Sequence, residues 1–203
     1  MRSLIFYYNP RSRAATARWM LEEVGADYEI RLLDFEAGDN RKAEFLAVNR
    51  MGKVPAIVTP EGAVITETAA IIAWLADSYP KAGLAPAVGT AERGVYYRWL
   101  FFGAGVFEPA VVEAMMRADQ PKLPKSAVGW GSYDDVVDTL EGALSKTSYL
   151  IGDAFSAADV YLGSQLAWTS SFGAPRLKES RPIMDYIARV TAREAYKRSL
   201  APA

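Results

Sequence analysis

Up to Tyr79 the chain alternates between strand-like and helix-like hydrophobic periods; from about Ala91 onward it keeps the helical one. That change of pattern constrains the fold more than any single motif. Leu4–Tyr8 is a β-prone run stopped by the turn signal Asn9-Pro10. From about Ser12, Ala14, Ala15, Trp19, Met20 and Val24 keep one apolar stripe, which Gly25 ends. Tyr28–Leu32 alternates as a strand does, and residues 41–48 hold a short helix. Residues 56–59 and 63–65 flank Pro60-Glu61-Gly62 as the arms of a hairpin. The spacing of Ala70, Ile71, Trp74 and Leu75 predicts a helix over 66–79. An order of β-α-β-α-β-β-α calls for a small sheet with helices packed on it.

The run Pro80-Lys81-Ala82-Gly83-Leu84-Ala85-Pro86 breaks both periods, and the chain divides there into 1–79, a linker 80–87 and an all-helical 88–203. Helices are predicted over roughly 91–118, 133–144, 156–171 and 182–191. Gly103, Gly105 and Pro109 place a bend or break in the first of these. Ser156-Ala157-Ala158-Asp159 reads as an N-cap with a carboxylate three residues on, flanked by Phe155 and Val160 for a hydrophobic staple. The helix it starts is apolar nearly all round, so its natural role is structural, at the centre of the helical half.

Composition excludes several chemistries. With 51% hydrophobic residues and a net charge of -1 over 203 residues, nothing in the charge balance favours nucleic acid. The first ten residues hold an apolar run too short for a secretory signal, and no stretch reads as long and apolar enough to span a bilayer. The expectation is a soluble cytoplasmic protein. The chain contains neither cysteine nor histidine. Protein disulfides, thiol nucleophiles, thiolate metal sites, histidine bases and histidine-ligated metals are therefore all excluded. If a thiol takes part in its chemistry, a ligand must bring it.

One segment is rich in groups that a zwitterionic peptide would use. Lys53-Val54-Pro55-Ala56-Ile57 offers a cation and an extended backbone ahead of a strand, and Thr66-Glu67-Thr68 puts an anion and hydroxyls at a helix start. The plainer reading is that Pro55 ends a loop, Thr66 caps the helix and Glu67 complements its dipole.

These motifs occur in an order that resembles the cytosolic glutathione transferase superfamily, in a bacterial form with a serine-type active site. The resemblance is carried by residues 49–57 (NRMGKVPAI), 66–71 (TETAAI), 155–160 (FSAADV) and 18–25 (RWMLEEVG), spread over almost the whole chain. It implies a thioredoxin-like glutathione-binding domain followed by a helical-bundle domain, and an enzyme of detoxification that joins glutathione to a small hydrophobic electrophile. It also implies a cis Val54–Pro55 bond, with the Val54 backbone pairing with the cysteinyl main chain of glutathione. Glu67 would then meet the γ-glutamyl ammonium, the Thr68 hydroxyl and helix N–H groups its carboxylate, and Lys53 the glycyl carboxylate. By the same resemblance the protein needs no metal, forms a homodimer and binds neither nucleic acid nor membrane, and the electrophile's pocket lies between the domains.

A cysteine-like thiol has a reference pKa of about 8.5, so a transferase must favour the thiolate, at about 1.4 kcal/mol per pKa unit. In serine-type members the hydroxyl follows the first strand, where Ser12 stands; Ser12 is otherwise an ordinary N-cap. Arg13 adds positive potential or faces water, and Tyr8 is the runner-up hydroxyl. The same fold also serves binding and regulatory modules without turnover, and glutathione-dependent isomerases and peroxidases.

Overall fold

The computed structural model describes residues 3–202. By contact it separates into two compact units, Met1–Gly83 with Arg193–Ala203, and Leu84–Ala192. The division between Gly83 and Leu84 falls inside the segment read as a linker, part of which, Pro80–Ala82, forms a 3₁₀ turn. The last residues differ from the sequence division: they group with the first unit.

Unit 1 runs β1 (Leu4–Tyr8), α1 (Ala14–Val24), β2 (Tyr28–Leu32), α2 (Ala43–Leu46), β3 (Ala56–Val58), β4 (Val64–Thr66) and α3 (Thr68–Ser78), with α9 (Glu194–Ser199) returning to it. The strands lie in the order β2-β1-β3-β4. The β1–β2 pair is parallel, and the β1–β3 and β3–β4 pairs are antiparallel. Alternation along β1 buries Leu4, Phe6 and Tyr8 on one face. The other face carries Tyr7, packed with Leu33, Phe45, Ala56, Val48 and Val54. α9 covers α1: Tyr196 meets Trp19 edge-on at 4.9 Å, and Arg193 grips Glu23 through two hydrogen bonds of 2.7 and 2.8 Å.

Unit 2 contains α4 (Ala91–Phe102), a π-helical stretch (Gly103–Phe107), α5 (Glu108–Met116), α6 (Tyr133–Leu144), α7 (Ala157–Ser171) and α8 (Arg181–Thr191). The break predicted in the first helix is this π stretch, which lets the axis continue with a widened turn. Gly103 is required there: a Cβ would sit 2.7 Å from the Tyr161 ring on α7. The continuous run Ala91–Met116 is, by length and composition, long and apolar enough to cross a bilayer, which corrects the expectation that no stretch is. Its Tyr96, Trp99, Leu100, Phe107, Ala110 and Val111 are buried in the unit's core, which accounts for the apolar character.

The cap at 156–159 forms in full. Asp159 is wholly buried and accepts from the Ser156 N–H and hydroxyl, the Leu150 N–H and the Tyr186 hydroxyl. Burial pushes its carboxyl up in pKa while these four donors pull it down. Every contact is internal, and its role is structural.

Candidate functional site

Strand register collects the sequence-predicted residues at one end of the sheet. Tyr7 of β1 pairs with Ala56 of β3, and Ala56 with Thr66 of β4. That row holds the C-terminal end of β1, the N-terminal end of β3 and the C-terminal end of β4. The loop carrying Ser12 and Arg13, the Val54–Pro55 step, and Glu67-Thr68 therefore all leave the sheet at this end, together with the N-termini of α1 and α3.

The Val54–Pro55 bond is cis, Pro55 is buried and Val54 is half-buried. Two asparagines shape the approach to it. Asn49 is buried; its Nδ2 donates to the Lys53 carbonyl at 2.8 Å, and its Oδ1 accepts from the Met51 N–H at 3.0 Å. Asn40 Nδ2 donates to the Gly52 carbonyl at 2.9 Å. Gly52 has φ +64°, and a Cβ there would lie 2.8 Å from the Asn40 carbonyl, so only glycine fits. Among the described residues the Val54 N–H and C=O make no hydrogen bond, which leaves an extended edge for another backbone. Lys53 is exposed.

At the end of β4 the chain turns sharply. Thr66 is the last residue of the strand rather than the helix cap, and Glu67 takes the N-cap place with φ 66° and ψ 119°. An L-residue held at positive φ stores on the order of 1–3 kcal/mol and signals a constraint imposed by its surroundings. Glu67 is exposed and supplies no side-chain cap, and α3 has no acidic residue in its first turn. The first helical bond is Ile71 N–H to Glu67 carbonyl at 2.9 Å. The N–H groups of Thr68, Ala69 and Ala70 thus precede the ladder and form an uncapped anion cradle, with the half-buried Thr68 at its start.

At the N-terminus of α1 the Ser12 hydroxyl is already engaged. It donates to the Asn9 carbonyl at 2.6 Å and accepts from the Ala14 N–H at 3.1 Å. Arg13 occupies the N-cap place and is exposed, and α1 too lacks an acidic residue in its first turn. Asn9 holds the loop from below, donating to the Leu33 carbonyl at 2.8 Å and accepting from the Arg11 N–H at 2.9 Å. Tyr8, the other candidate hydroxyl, stands on β1. It is 3% exposed, on the face of β1 turned to α1, where the Arg18 guanidinium lies 5.3 Å from its ring centre. The runner-up hydroxyl is thus carried on a buried ring.

The side-chain bonds of Asn9, Asn40 and Asn49 that shape these loops are what motif reading did not supply. For Asn9 and Asn49 the available signal was their place in turns near Pro10 and Gly52, where asparagine side chains bond nearby backbone; Asn40 reaches Gly52 across twelve positions and gave no such signal. Among the described residues no group of three or more Asp, Glu, His or Cys is placed to hold a metal ion.

Comparisons with known proteins agree with this architecture. The sequence pattern of the glutathione S-transferase N-terminal domain matches residues 12–78, and that of the C-terminal domain matches residues 109–198. Glutathione S-transferase GstA of Escherichia coli O157:H7 is 29% identical over 167 residues, covering 80% of each chain. A crystal structure of a glutathione transferase from Methylococcus capsulatus is 30% identical with a TM-score of 0.80, covering 97% of this chain and 96% of its own. A sphingomonad glutathione S-transferase, solved in complex with glutathione, is 29% identical with a TM-score of 0.80 over 97% of this chain and 96% of its own.

Proposed function

The chain belongs to the glutathione S-transferase superfamily, and from that premise we propose that it binds glutathione on unit 1 and activates the thiol for attack on a small hydrophobic electrophile. One observation carries the reading: the register row at Tyr7, Ala56 and Thr66 gathers an open backbone edge and two helix N-termini free of first-turn acids.

In this reading the Val54 N–H and C=O pair with the cysteinyl main chain of glutathione as an added strand. The Glu67 carboxylate meets the γ-glutamyl ammonium; the Thr68 hydroxyl and the α3 N–H groups take the adjacent carboxylate. Lys53 meets the glycyl carboxylate. The sulfur lies at the start of α1, where the helix dipole, Arg13 and the Ser12 hydroxyl favour the thiolate. Ser12 must exchange its bond to the Asn9 carbonyl for one to sulfur when glutathione arrives. A charge-assisted hydrogen bond contributes about 1.5–3 kcal/mol, enough to depress a thiol pKa by one to two units.

The same engagement of Ser12 favours a second reading, a glutathione-binding module without turnover; a glutathione-dependent isomerase or peroxidase is the enzymatic variant. A homodimer, a cytoplasmic location and independence from metal, nucleic acid and membrane complete the proposal. The wild type is expected to be retained on immobilised glutathione and eluted by free glutathione. Glu67→Ala should weaken binding at least tenfold by calorimetry. Unchanged affinity in that variant would remove Glu67 from the site, and no retention of the wild type would defeat the glutathione reading.

A further inference from the structure

Pro10 leaves a gap in the sheet that Asn9 fills. β1 and β2 are parallel, with Tyr8 opposite Leu32, and the ladder continues one step beyond them: the Leu33 N–H donates to the Tyr8 carbonyl at 2.8 Å. In a parallel ladder a residue that donates to position 8 of its neighbour accepts, through its own carbonyl, from the N–H of position 10. Position 10 is proline and has no N–H. The Leu33 carbonyl accepts instead from the Asn9 side-chain amide, also at 2.8 Å, and both residues are buried.

Both ends of that amide are in use. While Nδ2 ties the loop to the end of β2, Oδ1 accepts from the Arg11 N–H at 2.9 Å. An aspartate could not donate to Leu33, and an alanine could serve neither partner. Arg11 and Glu36 also join the two loops, at 3.1 Å, but that pair is exposed at both ends and contributes little. Without the Asn9 amide the buried Leu33 carbonyl would lose its donor, and the loop would have to shift to satisfy it.

The backbone fixed in this way carries the acceptor of Ser12. The Asn9 carbonyl takes the Ser12 hydroxyl proton at 2.6 Å, and the Ala14 N–H donates to the same Ser12 oxygen at 3.1 Å. Two bonds therefore locate that oxygen. Turning the proton toward a sulfur gives up the bond to Asn9 and leaves the bond from Ala14 in place. A hydrogen bond weakens steeply with misplacement, so a hydroxyl that must meet a sulfur depends on how firmly residues 9–12 are held.

We propose that Asn9 is a positioning residue for the thiol site: its amide replaces the N–H that Pro10 lacks and so holds the loop that places the Ser12 hydroxyl. The proposal rests on the reading of Ser12 as the donor to the glutathione sulfur. The test compares wild type, Asn9→Ala, Ser12→Ala and the double variant, each titrated with pH while the ultraviolet absorbance of the bound glutathione thiolate is followed. Asn9→Ala should raise the pKa of the bound thiol by about one unit and lower turnover at neutral pH by up to about tenfold; Ser12→Ala should raise it at least as much. Affinity for S-methylglutathione, which has no thiol proton, should be unchanged, because the rest of the ligand is assigned to Val54, Glu67 and Thr68. In the Ser12→Ala background the Asn9 substitution should shift the thiol no further, whereas a general loosening of the fold would add its own effect. Asn9→Ser keeps an acceptor for the Arg11 N–H but is too short for the Leu33 carbonyl; its shift should lie between wild type and Asn9→Ala, and it decides the matter if Asn9→Ala does not fold. A wild-type thiol pKa in a folded Asn9 variant, or a shift that adds in full to that of Ser12→Ala, would overturn the role of Asn9 while the glutathione reading stands. No retention of the wild type on immobilised glutathione, or a wild-type thiol pKa in Ser12→Ala, would overturn both.

Discussion

Ser12 has one hydroxyl proton, and in this structure it lies on the Asn9 carbonyl. Its usefulness to a thiolate therefore depends on how readily that bond is exchanged. If Ser12 supplies the stabilising bond, Ser12→Ala should lower turnover at neutral pH by about ten- to a hundredfold while glutathione affinity changes little. Steady-state conjugation kinetics with a standard aromatic electrophile, beside calorimetric glutathione binding, provide the check; unchanged turnover would shift thiolate stabilisation to the α1 N-terminus and Arg13. Residue type and order singled out Ser12, Lys53, Val54, Glu67 and Thr68 as candidates, and strand register gathers their segments at one end of the sheet. The burial of Tyr8 was not legible, because adjacent residues of a strand point to opposite faces and only the pairing shows which face is core.

Elements were legible where their signals are local. Asn9-Pro10, Gly25 and the Ser156–Asp159 cap bound their elements by short-range backbone chemistry, and the structure has them where those residues stand. The start of α3 was read two residues early because Thr66 is a good cap by type, yet pairing with Ala56 holds it in β4. The segment 117–131 has no periodic signal, and long-range bonds to Glu113 organise it. The Leu123 N–H and the Trp130 indole hold the Glu113 carboxyl below its ordinary pKa. A carboxyl depressed in the folded state favours folding above its unfolded value of about 4.3, and that contribution disappears as pH falls through the lower folded value. Acidification through that window should release this segment, seen as faster exchange of the Leu123 amide and the Trp130 indole proton. Glu113→Gln, which cannot titrate, should remove this pH dependence; an identical profile in the variant would assign the loosening elsewhere.

Across the whole molecule, α9 belongs with unit 1 although the sequence division placed the chain's last residues in the helical half. Arg18 reaches the Ala201 carbonyl at 2.7 Å, and Arg193 pairs with Glu23. Each unit also exposes apolar side chains, Met51 and Val64 on the first and Val95 and Phe101 on the second. Such surfaces support the proposed homodimer. Light scattering at micromolar concentration should give about twice the 22.2 kDa of one chain, and Phe101→Asp should shift the population toward monomer. A wild-type monomer under those conditions would contradict the proposal.

By itself the sequence determined the order of elements, the change from mixed to helical architecture near Pro80, the buried cap, and the candidate residues for the proposed glutathione cradle. Those follow from hydrophobic period and turn chemistry, which act over a few residues. Tertiary structure alone decided that Tyr8 is buried against α1, that the Ser12 proton is engaged, and that α9 returns to α1. Each of these depends on which face a strand or helix turns inward and on contacts between distant segments. The Arg18–Ala201 bond spans 183 positions, and no local pattern encodes such a pairing.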